Sequence, residues 1–367
     1  MSIYDEVLSF IEAPREESFE PLALEVFRYQ IAHVASYRKY CVQRGIAAEA
    51  VHSLDQVPAI STVAFKYARL ESSEALSLPA RLFLTSGTTA GKDGRGRHMV
   101  VRPEIYRVSA LTHLRRMLFP DVARIQIIAL HPTVDRMPES SLSQMLSWCI
   151  EEFGTSPTLC AATRQGIETA AAIEFLHGME RRGEPVCILG TTASFAALFE
   201  AMRTRKIVLH LPSGSRLMDT GGAKGQITPL SAEAMVSGSE LMLGVPETFV
   251  INEYGMTEMC SQLYDATTFN SSDDSRPDRR IKLPPPWLRP VALDPVNLEP
   301  VDDGEVGLLS FFDLANVGSV SALMTEDFGV IENGAVRVLG RAAAGDPRGC
   351  ALAIEEFAER DAARGAR

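Results

Sequence analysis

Two short apolar runs, IQIIAL at 125–130 and VCILG at 186–190, are each followed by an amphipathic helical pattern, over 145–153 and 193–202. A buried strand that leads into a helix and then into another buried strand needs a crossover connection, and such crossovers build parallel sheets. KIVLHL at 206–211 and TFVIN at 248–252 repeat the strand signal. The expected fold class is therefore α/β, with mostly parallel sheets whose carboxyl ends carry any site. Ahead of this body, Ala23, Phe27, Ile31, Val34 and Cys41 recur at helical spacing behind Pro21, which predicts one amphipathic helix over roughly 21–43.

After Asp273 the character changes. SSDDSRPDRRIKLPPPWLRP, at 271–290, is polar and then proline-rich, and reads as a long loop or linker. Beyond it EVGLLSFF, SVSALMT and AVRVLGR are strand-like, and Glu332-Asn333-Gly334 is a hairpin-turn signal. The expected organisation is an α/β body over 1–275, a linker and small antiparallel β module over 276–340, and a short tail over 341–367. A net charge of −11 argues against nucleic acid or an anionic membrane as the main partner. No apolar run approaches the roughly 20 residues of a membrane span, and the start of the chain lacks a basic and then apolar leader, so a cytoplasmic location is expected. The six cysteines, Cys41, Cys149, Cys160, Cys187, Cys260 and Cys350, show no C-x-x-C spacing; most read as small buried hydrophobes, with Cys350 set apart.

Several stretches carry candidate chemistry. LFLTSGTTAG at 82–91 places Ser86, Gly87, Thr88, Thr89 and Gly91 directly behind an apolar run. Glycine and short hydroxyls in series serve either a tight turn or a phosphate cradle, and this stretch alone does not separate the two. It is not a Walker A loop, since Lys92 is followed by Asp93, and no G-x-S-x-G elbow occurs anywhere in the chain. The seven histidines show no metal-ligand spacing; His98, after Lys92-Asp93-Gly94-Arg95-Gly96-Arg97, is expected in a solvated loop rather than in an extension of an anion site. Asn252-Glu253-Tyr254-Gly255-Met256-Thr257-Glu258 follows a strand. That segment is either a polar loop or a set of groups able to stack on a base, bind phosphate and hold a magnesium ion.

Taken in order, TSGTTAG, NEYGMTE, MTEDFG and LGR resemble the motifs of the adenylate-forming superfamily, which joins a carboxylate to AMP. Within it, FKYARLES, LMDTGGAKGQ at 217–226, NEYGMTEMCSQLYD at 252–265 and LGR followed by RGCAL at 339–352 look most like the acyl-protein synthetases of bacterial bioluminescence, and more distantly like phenylacetate-coenzyme A ligases. The resemblance spans about 55–355. It implies ATP and Mg2+ as cofactors and a carboxylic acid, fatty or other acyl, as substrate. By that resemblance Ser86, Gly87, Thr88, Thr89 and Gly91 cradle the leaving pyrophosphate, Tyr254 and the adjoining Gly255 meet adenine, Thr257 touches the α-phosphate and Glu258 ligates magnesium. Asp327 accepts bonds from the ribose, Arg341 stands at a hinge, and Gly221 and Gly222 admit close backbone approach. Lys224 matches the subfamily motif and equally fits a surface lysine.

The departures bear on mechanism. Superfamily members carry a C-terminal domain of roughly a hundred residues that delivers a lysine to the adenylation site, whereas 342–367 hold no lysine at all. Lys66, Arg95, Arg97 or Lys224 would have to stand in. In the bioluminescence synthetases the acyl group passes to a cysteine near the C-terminus, and Cys350 matches that position, with Arg348 nearby to lower its thiol pKa and Gly345 and Gly349 to let the segment swing. The resemblance further implies an acyl-CoA-reductase-like partner that takes the acyl group onward. Three readings stand at this point: a thioester-forming acyl-protein synthetase, a ligase that delivers to coenzyme A or a carrier protein, and a nucleotide-binding subunit without catalysis.

Overall fold

The computed structural model describes residues 1–85, 94–221, 230–266 and 280–341. Two compact units emerge, and they interleave along the chain: the first takes 1–110, 256–262 and the chain from Ile281, the second 111–255 and 263–280.

The first unit opens with helices α1 (Ile3–Glu12), α2 (Glu16–His33) and α3 (Ala35–Gln43). The single helix expected over 21–43 is thus two. The first starts five residues ahead of Pro21, on the acidic pair Glu16 and Glu17 that suits a helix N-terminus, and the break falls at Val34, whose backbone is extended. A short strand β1 (Ile60–Ser61) follows, and then an antiparallel hairpin of β2 (Ala80–Leu84) and β3 (Arg97–Val101). Helix α4 (Pro103–Met117) carries the chain into the second unit.

The second unit is α/β and takes in only part of the 1–275 span, since 1–110 belong to the first unit. Strands β4 (Ile125–Ala129), β5 (Gly154–Cys160), β8 (Val186–Thr191), β9 (Arg216–Thr220) and β10 (Val250–Tyr254) run parallel in the order β5-β4-β8-β9-β10, and β11 (Leu263–Asp265) pairs antiparallel with β10. The small pair β6 (Ala162–Thr163) and β7 (Gly166–Ile167) lies apart from that sheet. Helices α5 (Ser141–Phe153), α6 (Thr169–Arg182), α7 (Thr192–Arg205) and α8 (Ala232–Leu243) make the crossovers. Thr191 and Ser194 form a capping box that starts α7 directly at the end of β8. Ile128, Ile188, Leu217 and Val250 of the strands pack with Leu176, Phe195, Leu198, Met202 and Leu243 of the helices in one fully buried core.

KIVLHL is not a strand. Leu209 and Leu211 are buried, but their backbone N–H groups donate to the carbonyls of Met242 and Leu243 at the end of α8, so the alternating pattern is satisfied without a ladder. The strand lies ten residues later, at β9.

In the first unit, β12 (Lys282–Leu283), β13 (Leu288–Leu293), β14 (Val306–Asp313), β15 (Ala322–Glu332) and β16 (Ala335–Arg341) form the expected antiparallel set, with β1 added in parallel to β15. Asn333 and Gly334 both take positive φ, at 52° and 76°, which is the tight turn that an Asn-Gly pair supports between twisted strands. Of the stretch expected to be a linker over 271–290, the described residues include strand β12 and the start of β13. Trp287 is buried, and its indole N–H donates to Ser109 Oγ at 2.8 Å; burial of so large a ring outweighs the turn propensity of the three prolines before it.

Candidate functional site

In the second unit the site residues lie at the carboxyl edge of the parallel sheet. Register pairs Thr191 with Thr220 and Thr220 with Glu253, so β8, β9 and β10 end level. Gly221 follows β9 and is exposed; Tyr254 ends β10 half-buried, with Gly255 next. Beneath them Asp219, 3 % exposed, accepts from Thr192 Oγ1 at 2.7 Å and from Asn252 Nδ2 at 3.0 Å, while Thr220 Oγ1 donates to Glu253. On the far side of β10, Asp265 accepts from the Asn252 N–H at 3.0 Å and from Arg280 at 2.6 Å. Buried carboxylates answered by hydroxyls, amides and a guanidinium fix the strand ends on which Gly221 and Tyr254 stand.

The chain leaves this unit between Gly255 and Met256. In the first unit, Met256–Gln262 has no regular structure, and its backbone is held from outside. His98 of β3 has no exposed surface, and its Nδ1–H donates to the Thr257 carbonyl at 2.6 Å. Burial pushes its pKa down to about 4, against the opposing pull of that carbonyl and of the Asn316 side chain, so the ring is neutral at physiological pH. Asn316 Nδ2 donates to the Glu258 carbonyl at 2.9 Å and to Val320 at 2.8 Å. Asp313, at the end of β14, accepts from the Cys260 N–H at 2.9 Å, from Ser261 Oγ at 2.6 Å and from the Ala315 N–H at 3.0 Å. Burial lifts the Asp313 carboxyl to about 6 in spite of those three donors. His98 is therefore a buried strand residue and not part of a solvated loop, because the hairpin register sets it opposite Phe83 on the covered face. Nothing in the sequence marks Asp313 or Asn316; both lie in an apolar stretch, SFFDLANV, whose polar positions read as a strand end.

The same hairpin closes the base of the glycine-rich loop. Thr85 and Gly96 exchange bonds, with the Thr85 N–H donating to the Gly96 carbonyl at 2.9 Å and the Gly96 N–H to Thr85 Oγ1 at 2.8 Å. Arg95 donates to the carbonyls of Thr85 at 2.5 Å and Leu84 at 3.1 Å, so its guanidinium serves the loop base; Lys66 and Arg97 are exposed. Asp327 and Arg341 are brought together across β15 and β16, with Arg341 Nε 3.5 Å from Asp327 Oδ1. The arginine side chain is 59 % exposed, so the pair adds little stability. Ser86, Gly87, Thr88, Thr89, Gly91, Gly222, Lys224 and Cys350 lie outside the described residues.

Of the five described cysteines, Cys41, Cys149, Cys187 and Cys260 are buried and Cys160 is half-buried. Burial lifts the thiols of Cys41 and Cys187 to about 12 and those of Cys149 and Cys260 well above the ordinary range. Among the described residues no group of three or more His, Cys, Asp or Glu gathers as a metal cage, and no helix is long and apolar enough to cross a membrane.

An α/β body with level parallel strand ends, followed by an antiparallel set, is the architecture of the adenylate-forming ligases. A solved 2-hydroxyisobutyryl-CoA ligase in complex with 2-HIB-AMP and CoA superposes with a TM-score of 0.62 at 16% identity, covering 89% of this chain and 75% of that one. The chain belongs to the LuxE family of acyl-protein synthetases, whose family model matches residues 4–358, and it is an enzyme of the ligase class. It is 23% identical to the long-chain-fatty-acid–luciferin-component ligase of Aliivibrio fischeri, over 96% of this chain and 94% of the relative. The ligase of the same name from Vibrio harveyi is 23% identical over 95% of this chain and 92% of its own.

Proposed function

We propose that the protein activates a carboxylic acid of the fatty-acid class with ATP and captures the acyl group on Cys350. The carboxylate oxygen bonds to the α-phosphorus of ATP and pyrophosphate leaves. The Cys350 thiolate then bonds to the carbonyl carbon and AMP leaves, giving a thioester for an acyl-CoA-reductase-like partner. The observation that carries the reading is the level carboxyl edge of β8, β9 and β10, where open α/β sheets bind ligands and where Gly221 and Tyr254 stand. The fatty-acid class is taken from the names of the two relatives.

Each matched residue has work consistent with its chemistry. Tyr254 offers a ring face to adenine and Gly255 a backbone without a side chain. The Thr257 hydroxyl addresses the α-phosphate, Asp327 the ribose hydroxyls, and the loop from Ser86 to Gly91 the departing pyrophosphate. Glu258 is a half-buried carboxylate that, among the described residues, joins no cage of three or more ligands. That fits Mg2+, which is bound by one or two carboxylates together with substrate phosphates. A magnesium ion held by Glu258 would neutralise charge on the triphosphate. Four of the other five thiols are buried and held protonated, and Cys350, rather than the half-buried Cys160, takes the acceptor role because it matches the family's C-terminal cysteine position.

The test is exchange of labelled pyrophosphate into ATP across carboxylic acids of graded chain length. Exchange that depends on both Mg2+ and a fatty acid supports the reading. ATP binding with no exchange for any acid favours a subunit that binds nucleotide without catalysis.

A further inference from the structure

The segment that carries Thr257 and Glu258 is irregular, yet buried side chains of other elements hold its backbone. Two consecutive carbonyls, those of Thr257 and Glu258, accept from His98 at 2.6 Å and from Asn316 at 2.9 Å. The donors come from different elements, one from β3 and one from the turn after β14, and they are 0 % and 2 % exposed. Asn316 is itself held by a further layer. Gln30 of α2, 1 % exposed, donates to the carbonyls of Asn316 and Val317 at 3.3 and 3.2 Å and to Ser321 Oγ at 2.9 Å, and accepts from the Ser321 N–H at 3.1 Å.

Buried polar side chains cost desolvation that apolar residues of the same volume avoid, so their placement on two neighbouring peptides calls for a reason. Fixing the peptide groups on both sides of the Glu258 Cα fixes the direction in which its side chain departs. We propose that His98 and Asn316 are positioning residues that aim the Glu258 carboxylate for a magnesium–nucleotide complex, with Gln30 holding Asn316 in register. The inference rests on the adenylation reading above.

The experiment compares the full-length protein with His98→Leu, His98→Asn, Asn316→Leu and Asn316→Asp. Asparagine keeps a donor where the histidine Nδ1–H stands, and aspartate keeps the shape of Asn316 while turning its donor into an acceptor that faces the Glu258 carbonyl. ATP affinity is measured by calorimetry with and without Mg2+, alongside the Mg2+ requirement of pyrophosphate exchange and the melting temperature. The leucine variants and Asn316→Asp should lose on the order of tenfold or more in the Mg2+-dependent part of ATP affinity and need correspondingly more Mg2+ for exchange. Metal-free ATP affinity should hold, and His98→Asn should recover most of the loss. If the leucine variants fail to fold, His98→Asn against Asn316→Asp carries the comparison. Leucine variants or an Asn316→Asp protein with wild-type Mg2+ dependence, whatever their melting temperatures, overturn the inference. A wild type that binds Mg2+ with ATP but exchanges with no acid counts against the adenylation reading, and the binding measurements still decide the positioning role.

Discussion

At the scale of single residues, Glu258 is the most exposed point of the reading to test. Glu258→Gln keeps the shape and removes the charge, so exchange should fall by roughly two to three orders of magnitude, as when other preorganised electrostatic groups are removed. Metal-free ATP affinity should change little; a variant with near-normal exchange would make Glu258 a structural loop residue. His98 and Asp313 give a second prediction, on stability against pH. The folded pKa of His98, about 4, lies below the ordinary 6.5, so between those values the unfolded chain binds the proton that the fold refuses, and stability falls as pH drops. Asp313 acts in the opposite sense. Its folded value near 6 lies above the ordinary 3.8, so its contribution is complete below the unfolded value and is lost as pH rises through 6. In denaturant titrations between pH 7 and 4.5, His98→Asn should flatten the acid loss by on the order of 2 kcal/mol, and Asp313→Asn should steepen it. Neither environment is legible in the sequence. His98 follows six polar or glycine positions, 92–97, that read as loop, and its burial is set by a pairing across the hairpin with Phe83, fifteen residues away.

At the scale of elements, the hairpin of β2 and β3 matters because it holds both ends of the glycine-rich loop. A Cβ built at Gly96 would lie 2.8 Å from Thr85 Cγ2, closer than side chains tolerate, and a tight 3.2 Å from Thr85 Oγ1. Gly96→Ala should therefore spread the loop base and raise the KM for ATP severalfold. Adding Thr85→Ser, which deletes the clashing methyl and keeps the hydroxyl that accepts from residue 96, should restore most of it. Failure of the second change to help would mean that the loop does not read its base. Strands with strong apolar runs, such as Ile125–Ala129 and Val186–Thr191, and the Asn333-Gly334 turn were legible because their local signal and their burial agree. The stretch 206–211 misleads because its alternation is real but its backbone partners are carbonyls at a helix end. The proline-rich stretch misleads in the other direction, since Trp287 and Leu288 bury against distant parts of the first unit.

At the scale of the whole molecule, Asn252–Glu258 reads as one continuous motif in the sequence, while Tyr254 and Gly255 belong to one compact unit and Thr257 and Glu258 to the other. That division comes from long-range packing and leaves no mark on the residues themselves. The order of motifs was legible, and so was the fold class; the side chains that hold the motifs, Asp219, Asp313 and Asn316, were not, because each acts through the backbone or side chain of a residue far away in the chain. The thiols complete the picture at this scale. Four of the five described cysteines are buried with raised pKa values and Cys160 is half-buried, so the covalent step proposed for Cys350 rests on its match to the family's C-terminal cysteine position. The most direct test is acyl labelling of Cys350→Ser from a radiolabelled fatty acid, ATP and Mg2+, read beside pyrophosphate exchange on the same preparation. The account predicts exchange at the wild-type rate, because that step ends at the acyl-adenylate, together with loss of hydroxylamine-labile label from the protein. A Cys350→Ser protein that still accumulates the thioester, or a wild type that never labels while forming acyl-coenzyme A, would contradict it.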